Sequence, residues 1–134
     1  MKRRIVSFAL GGAASIVAMG GHHSISTVYD TSQEVTREGV IAEFHFINPH
    51  PFITMNVKTG DRDAQQWRLE MDNRSELADI GMTNQTLKQG DRIIVKGSPG
   101  RTQRNSLYIR RLDRPADGFW YEQAGSSPRI RGSR

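Results

Sequence analysis

Pro49 and Pro51 stand one residue apart in Asn48-Pro49-His50-Pro51, in the middle of a stretch, Gly39 to Val57, with strand chemistry on both sides of them. Neither proline has an N–H to donate, so a regular ladder must stop or bend there. The stretch is therefore expected to fold as two strands joined at a stiff corner that displays His50.

The flanking segments alternate with the period of strands. Val35 to Ile47 reads as a long first strand, with Val40, Ala42, Phe44 and Phe46 on one face and Ile41, Glu43 and His45 on the other. Gly39 would permit a bulge or bend early in it. Phe52 to Lys58 follows with Ile53, Met55 and Val57 on one face, and Gln66 to Met71 turns Trp67, Leu69 and Met71 inward. The period then changes. Asn73 can cap a short helix that carries Glu76 three residues on, presents Leu77 and Ile80 to the core and stops at Gly81. Arg92 to Gly97 and Ser106 to Leu112 return to strand alternation, the latter with Leu107 and Ile109 inward and Tyr108 and Arg110 outward. Three strands, a helix and two more strands is the element order of the OB-fold. The expected class is thus mainly β: a small five-stranded OB-like Greek-key barrel with one short helix between strands 3 and 4. Phe119-Trp120-Tyr121 is expected to cover an open end or edge of that barrel.

A chain of 134 residues supports one modest core. Lys2, Arg3 and Arg4 precede an uncharged, mostly apolar run from Ile5 to Met19 that ends in small residues, the pattern of a secretory signal. The run is shorter than the roughly 20 residues a membrane span requires. Cleavage is expected after Gly20 or Gly21, which divides the chain into a signal peptide (1–21), an OB-like barrel with an N-terminal leader (22–124) and a disordered basic tail (125–134). The expected location is the periplasm, with no transmembrane anchor after processing. The absence of cysteine excludes both a lipoprotein anchor and disulfide staples. Of the net charge of +5, three positive charges leave with the signal. The mature body is then close to neutral, so the high isoelectric point is weak support for nucleic-acid binding.

His22-His23-Ser24, Tyr29-Asp30, Gly39-Val40, Asn48-Pro49-His50, Trp67 with Glu70, and the run Leu87-x-x-Gly90-Asp91-x-Ile93-x-Val95-x-Gly97 together resemble a family of small exported bacterial proteins of unknown function. The resemblance spans roughly His22 to Leu112. It implies export and an OB-like barrel, and it implies no reaction. His45 lies outside the shared pattern.

The histidines carry what chemistry the sequence offers. Cleavage after Gly20 would leave a free amine with histidine third in the chain, a nitrogen set that wraps copper(II) or nickel(II) in a plane. Cleavage after Gly21 would instead make the amine and imidazole of His22 a bidentate pair. The candidate metal ligands are His22, His23 and His50, with copper as the expected ion, although three imidazoles also suit zinc. The opposing structural readings are a solvated terminus and a His50 that hydrogen-bonds its own corner. Glu70 is expected to point outward, either orienting a histidine or pairing with Arg68 or Arg110. Asp30 is expected to serve its turn, and Tyr29 to pack. No nucleophile-and-base arrangement, phosphate loop or His-Glu-x-x-His helix is present, so the chain is not expected to be an enzyme. Besides a metal ion, the expected partner class is an envelope protein or small envelope ligand bound by a strand face and the aromatic C-terminal segment.

Overall fold

In the computed structural model, which describes residues 24–132, the two segments around the corner are β1 (Val35–His45) and β2 (Phe52–Val57), paired antiparallel. β3 (Gln65–Glu70), β4 (Arg92–Pro99) and β5 (Ser106–Arg114) complete the order β3-β2-β1-β4-β5, and a parallel pairing of β3 with β5 closes it. The result is the expected five-stranded barrel. A single turn, α1 (Ile25–Val28), precedes β1, and the helix α2 (Arg74–Asp79) stands between β3 and β4. Asn73 caps α2 by accepting from the Ser75 amide, Leu77 is fully buried, and Gly81 ends the helix at φ +95°.

The sheet continues past the barrel through β6 (Phe119–Ala124) and β7 (Ser127–Arg131). This is possible because β5 divides one of its edges. Ser106 to Tyr108 pair with β3, whereas Arg111 to Arg114 pair with β6. The aromatic segment thus covers an edge of the barrel, as expected, and does so as a paired strand with Phe119 and Tyr121 in the core. The disordered tail expected over 125–134 is corrected for residues 125–131. Gly125, at φ +61°, and Ser126 make a two-residue hairpin loop between the paired Ala124 and Ser127, and Ile130 packs against the core. The same Gly, Ser, Pro and Arg that suggested disorder are hairpin chemistry here. The expected signal peptide, together with His22 and His23, and the last two residues lie outside the described residues. Among the described residues, no helix is long and apolar enough to cross a membrane.

One bulge splits the expected faces of β1. Ile41 pairs with Met55 and Glu43 with Thr54, so Ala42 is the extra residue. Before the bulge, Ile41 faces the core and Val40 is 43% exposed; after it, Phe44 and Phe46 take over the inward face. Gly39 serves close packing, since a Cβ there would run into the carbonyl oxygen of Asn56 on β2. Gly97 is in the same situation against the carbonyl of Tyr108 on β5. Because the obstacle is backbone, Gly97→Ala is expected to destabilise the protein by about 1–3 kcal/mol, read as a lower urea midpoint at unchanged slope. An unaltered midpoint would mean that the β4–β5 ladder yields at no cost.

Candidate functional site at the Asn-Pro-His corner

The corner is fastened to the junction of β3 and α2. The amides of Met71 and Arg74 donate to the carbonyls of Pro51 and Pro49, each at 2.9 Å, and Arg74 Nε donates to the Phe46 carbonyl at 3.1 Å. The Asn48–Pro49 bond is cis. These bonds hold His50 with Nδ1 3.2 Å from the Met71 carbonyl oxygen and 3.8 Å from Glu70 Oε1. A carbonyl oxygen can only accept, so the bond requires a proton on Nδ1. The His50 side chain is 29% exposed.

Glu70 is the hub of the cluster. It points outward as alternation requires, but its partners are neither Arg68 nor Arg110: one oxygen lies near His50 and the other accepts from the Tyr29 hydroxyl at 2.5 Å. Tyr29 reaches it from the leader. The leader is held to the β4–β5 connection by the Asp30 amide donating to the Pro99 carbonyl and the Arg101 amide donating to the Val28 carbonyl. The Tyr29 ring lies on Tyr108, centroids 5.8 Å apart. This explains why Tyr108 projects outward from β5, as expected, and is nevertheless buried: the leader covers it. Burial, then the bond to Glu70, push the Tyr29 phenol pKa well above its usual value.

The remaining candidates fall into place around this cluster. Asp30 serves its turn, accepting from the amide and hydroxyl of Ser32 and from Gln33; those bonds, the Ser32 hydroxyl first, lower its pKa. His45 stacks on Phe52 at 4.2 Å between ring centroids, and its Nε2 lies 2.7 Å from Glu43 Oε2. Arg68 covers the same Phe52 ring at 3.4 Å. Of the three candidate ligands only His50 is among the described residues, and no group of three or more histidine, aspartate or glutamate side chains among those residues is placed to hold a metal. The resemblance quoted Tyr29, His50 and Glu70 separately. Their meeting was not readable, because it depends on the leader crossing the β3–β5 seam.

These features define a small OB-like barrel with a two-strand extension, carrying an imidazole, a carboxylate and a phenol together beside the β1–β2 corner. The chain belongs to the family of unknown function DUF6152, whose model matches residues 11–108. No curated protein matches it. Two solved structures are similar: a ZRD-deleted mutant of TiaS in complex with agmatine (16% identity, TM-score 0.44, 71% of this chain) and a complex of TiaS with tRNA and ATP (14% identity, TM-score 0.44, 76% of this chain). The matched part is 23% of each of those chains, so the protein spans less than a quarter of their length.

Proposed function

We propose that the protein is exported to the periplasm and binds a transition metal ion, copper(II), through His50 and the histidines His22 and His23 of the processed N-terminus. The observation that carries this reading is that Tyr29 of the leader and His50 of the corner converge on Glu70. The leader thus runs on the side of the barrel where His50 stands. Ser24 is separated from Tyr29 only by α1, one turn of about 6 Å, and each extended residue before it adds up to about 3.5 Å. His50 also fits a ligand's role. A metal-bound histidine characteristically donates its other ring N–H to a carbonyl or carboxylate, and Nδ1 has the Met71 carbonyl and Glu70 on its side. Export is supported by the charged n-region and the apolar run that follows it, Ile5 to Met19.

The test is copper(II) titration of processed protein whose N-terminus has been identified by mass spectrometry. His50→Ala and a form with one added N-terminal residue are each expected to weaken binding by about tenfold or more, and Glu70→Gln by roughly 10–100-fold. Copper binding that is weak and indifferent to these changes would favour the second reading, a metal-independent interaction module. Its supporting observation is the exposed strand face on which His45 and Arg68 flank Phe52; the aromatic C-terminal segment no longer contributes, since Phe119 and Tyr121 are buried.

A further inference from the structure

We infer that the cleft between the turn after the leader, the β4–β5 pair and the β6–β7 hairpin binds a small ligand bearing an oxyanion, gripped by Arg110 and Lys96. The site shares no residue with the His50 cluster and does not depend on the metal reading. The cleft is open to solvent, has a volume of about 520 Å³ and is lined by Ser32, Glu34, Lys96, Arg110 and Arg111, with Gly125 at the hairpin.

Arg110 carries the inference. On one edge of β5 the register shifts: Lys96 pairs with Arg111 and Gly97 with Ile109, which leaves Arg110 as the bulged residue. On the other edge it falls in the gap between the β3 pairing, ending at Tyr108, and the β6 pairing, starting at Arg111. Bulges of this kind re-aim a side chain and concentrate beside functional sites. The Arg110 guanidinium makes no hydrogen bond or ion pair with the described residues, and its Nε is sealed from solvent without an acceptor. The Tyr108 ring lies beside it, with its centre 5.9 Å from Cζ. A cationic donor left unpaired in this way is costly and calls for an explanation, and an oxyanion that draws the guanidinium round toward the cleft would supply one.

The surroundings narrow the ligand. Arg111 is already held by Asp113 and Glu122, and Glu122 also by Arg129. Lys96, across the bulge, has no acidic partner among the described residues. Two uncommitted cations therefore face one uncommitted carboxylate, Glu34 at the exposed rim. The planar fork of arginine matches a carboxylate or phosphate with two parallel bonds. A cleft of this size suits a small molecule, and the single arginine with its lysine offers no track for a polyanion.

The experiment is thermal melting and NMR titration of the processed, metal-free protein with inorganic phosphate and, separately, citrate, against chloride at matched ionic strength. At least one probe is expected to raise the melting temperature and shift the Arg110 resonances. A response to phosphate alone assigns a phosphoryl ligand, and a response to citrate alone a carboxylate. Arg110→Gln should weaken binding by about tenfold or more, Lys96→Gln should weaken it less, and His50→Ala should leave it intact. In chloride, Arg110→Gln should melt no lower than wild type, because the unpaired donor is gone; this separates lost binding from lost folding. Absence of any response in the wild type, or an equal response in Arg110→Gln, would overturn the inference.

Discussion

Replacing Arg114 by alanine is expected to remove about 3–5 kcal/mol of stability, the scale set by stripping one partner from a buried ion pair. Arg114 is 1% exposed at the end of β5, and its guanidinium ties that end and the following turn to the Thr86 to Asp91 stretch, more than twenty residues earlier. Nη1 donates to the Thr86 carbonyl at 2.7 Å and to Asp91 Oδ2 at 3.0 Å, while Nε and Nη2 each reach an oxygen of Asp117 at 2.9 Å. Cζ sits 4.7 Å from the centre of the Phe119 ring. Truncation takes a donor from the Thr86 carbonyl and the opposite charge from the nearly buried Asp91 carboxylate, which keeps only neutral donors such as the Lys88 amide at 3.0 Å. Arg114→Lys keeps the charge but not the fork that grips Asp117, so it should fall between wild type and alanine. Chemical denaturation measures all three. Since a domain of this size has a total stability of about 5–15 kcal/mol, the alanine variant should unfold at markedly lower denaturant. A loss below about 1 kcal/mol, the scale of an exposed pair, would show that water replaces the guanidinium.

Alkali should unfold the protein steeply, and the agents are three tyrosines. Tyr29, Tyr108 and Tyr121 are 2%, 5% and 0% exposed, and burial, the leading cause in each case, raises all three phenol pKa values well above the ordinary 10.0. A raised value means that the folded state holds the proton more tightly. The associated stability is therefore complete below about pH 10, where both states are protonated, and is lost as pH climbs from there toward the folded values. Each phenol contributes a slope of at most about 1.4 kcal/mol per pH unit, or roughly 4 kcal/mol per unit for the three together. Denaturation curves collected from about pH 9 upward test this, with tyrosinate absorbance followed in parallel. Absorbance should stay silent until the chain unfolds. Three phenols titrating near their ordinary value in protein that is still folded would refute the prediction. Tyr29→Phe should flatten the slope by about a third, while also removing the bond to Glu70.

Local chemistry made the barrel legible and left its exterior hidden. The alternation in β2 and β3, the Asn73 cap, the Gly81 stop and the corner at Pro49 and Pro51 all depend on near neighbours in the chain, and each is found where the residues placed it. Bulges were not legible, because an extra residue such as Ala42 or Arg110 is defined by the register of a partner strand. The hairpin of β6 and β7 was hidden by composition: a Gly-Ser loop followed by Pro128 and two arginines reads as disorder until Ile130 is seen against the core. The candidate site was half visible. His50 was displayed as expected, but Glu70 could not be joined to it and to Tyr29 without knowing that the leader crosses the seam between two parallel strands. Arg114 gave no sequence signal at all, since an arginine at a strand end is ordinarily solvated.

A barrel that closed completely would present no open margin, and the added hairpin gives this molecule one along β7. That margin is poorly suited to receiving another strand. Pro128 has no amide hydrogen to offer, and Arg129 and Arg131 would confront the same cations in an identical neighbour laid alongside. The ladder thus carries its own terminator, and crowding of identical molecules should not propagate it into fibrils.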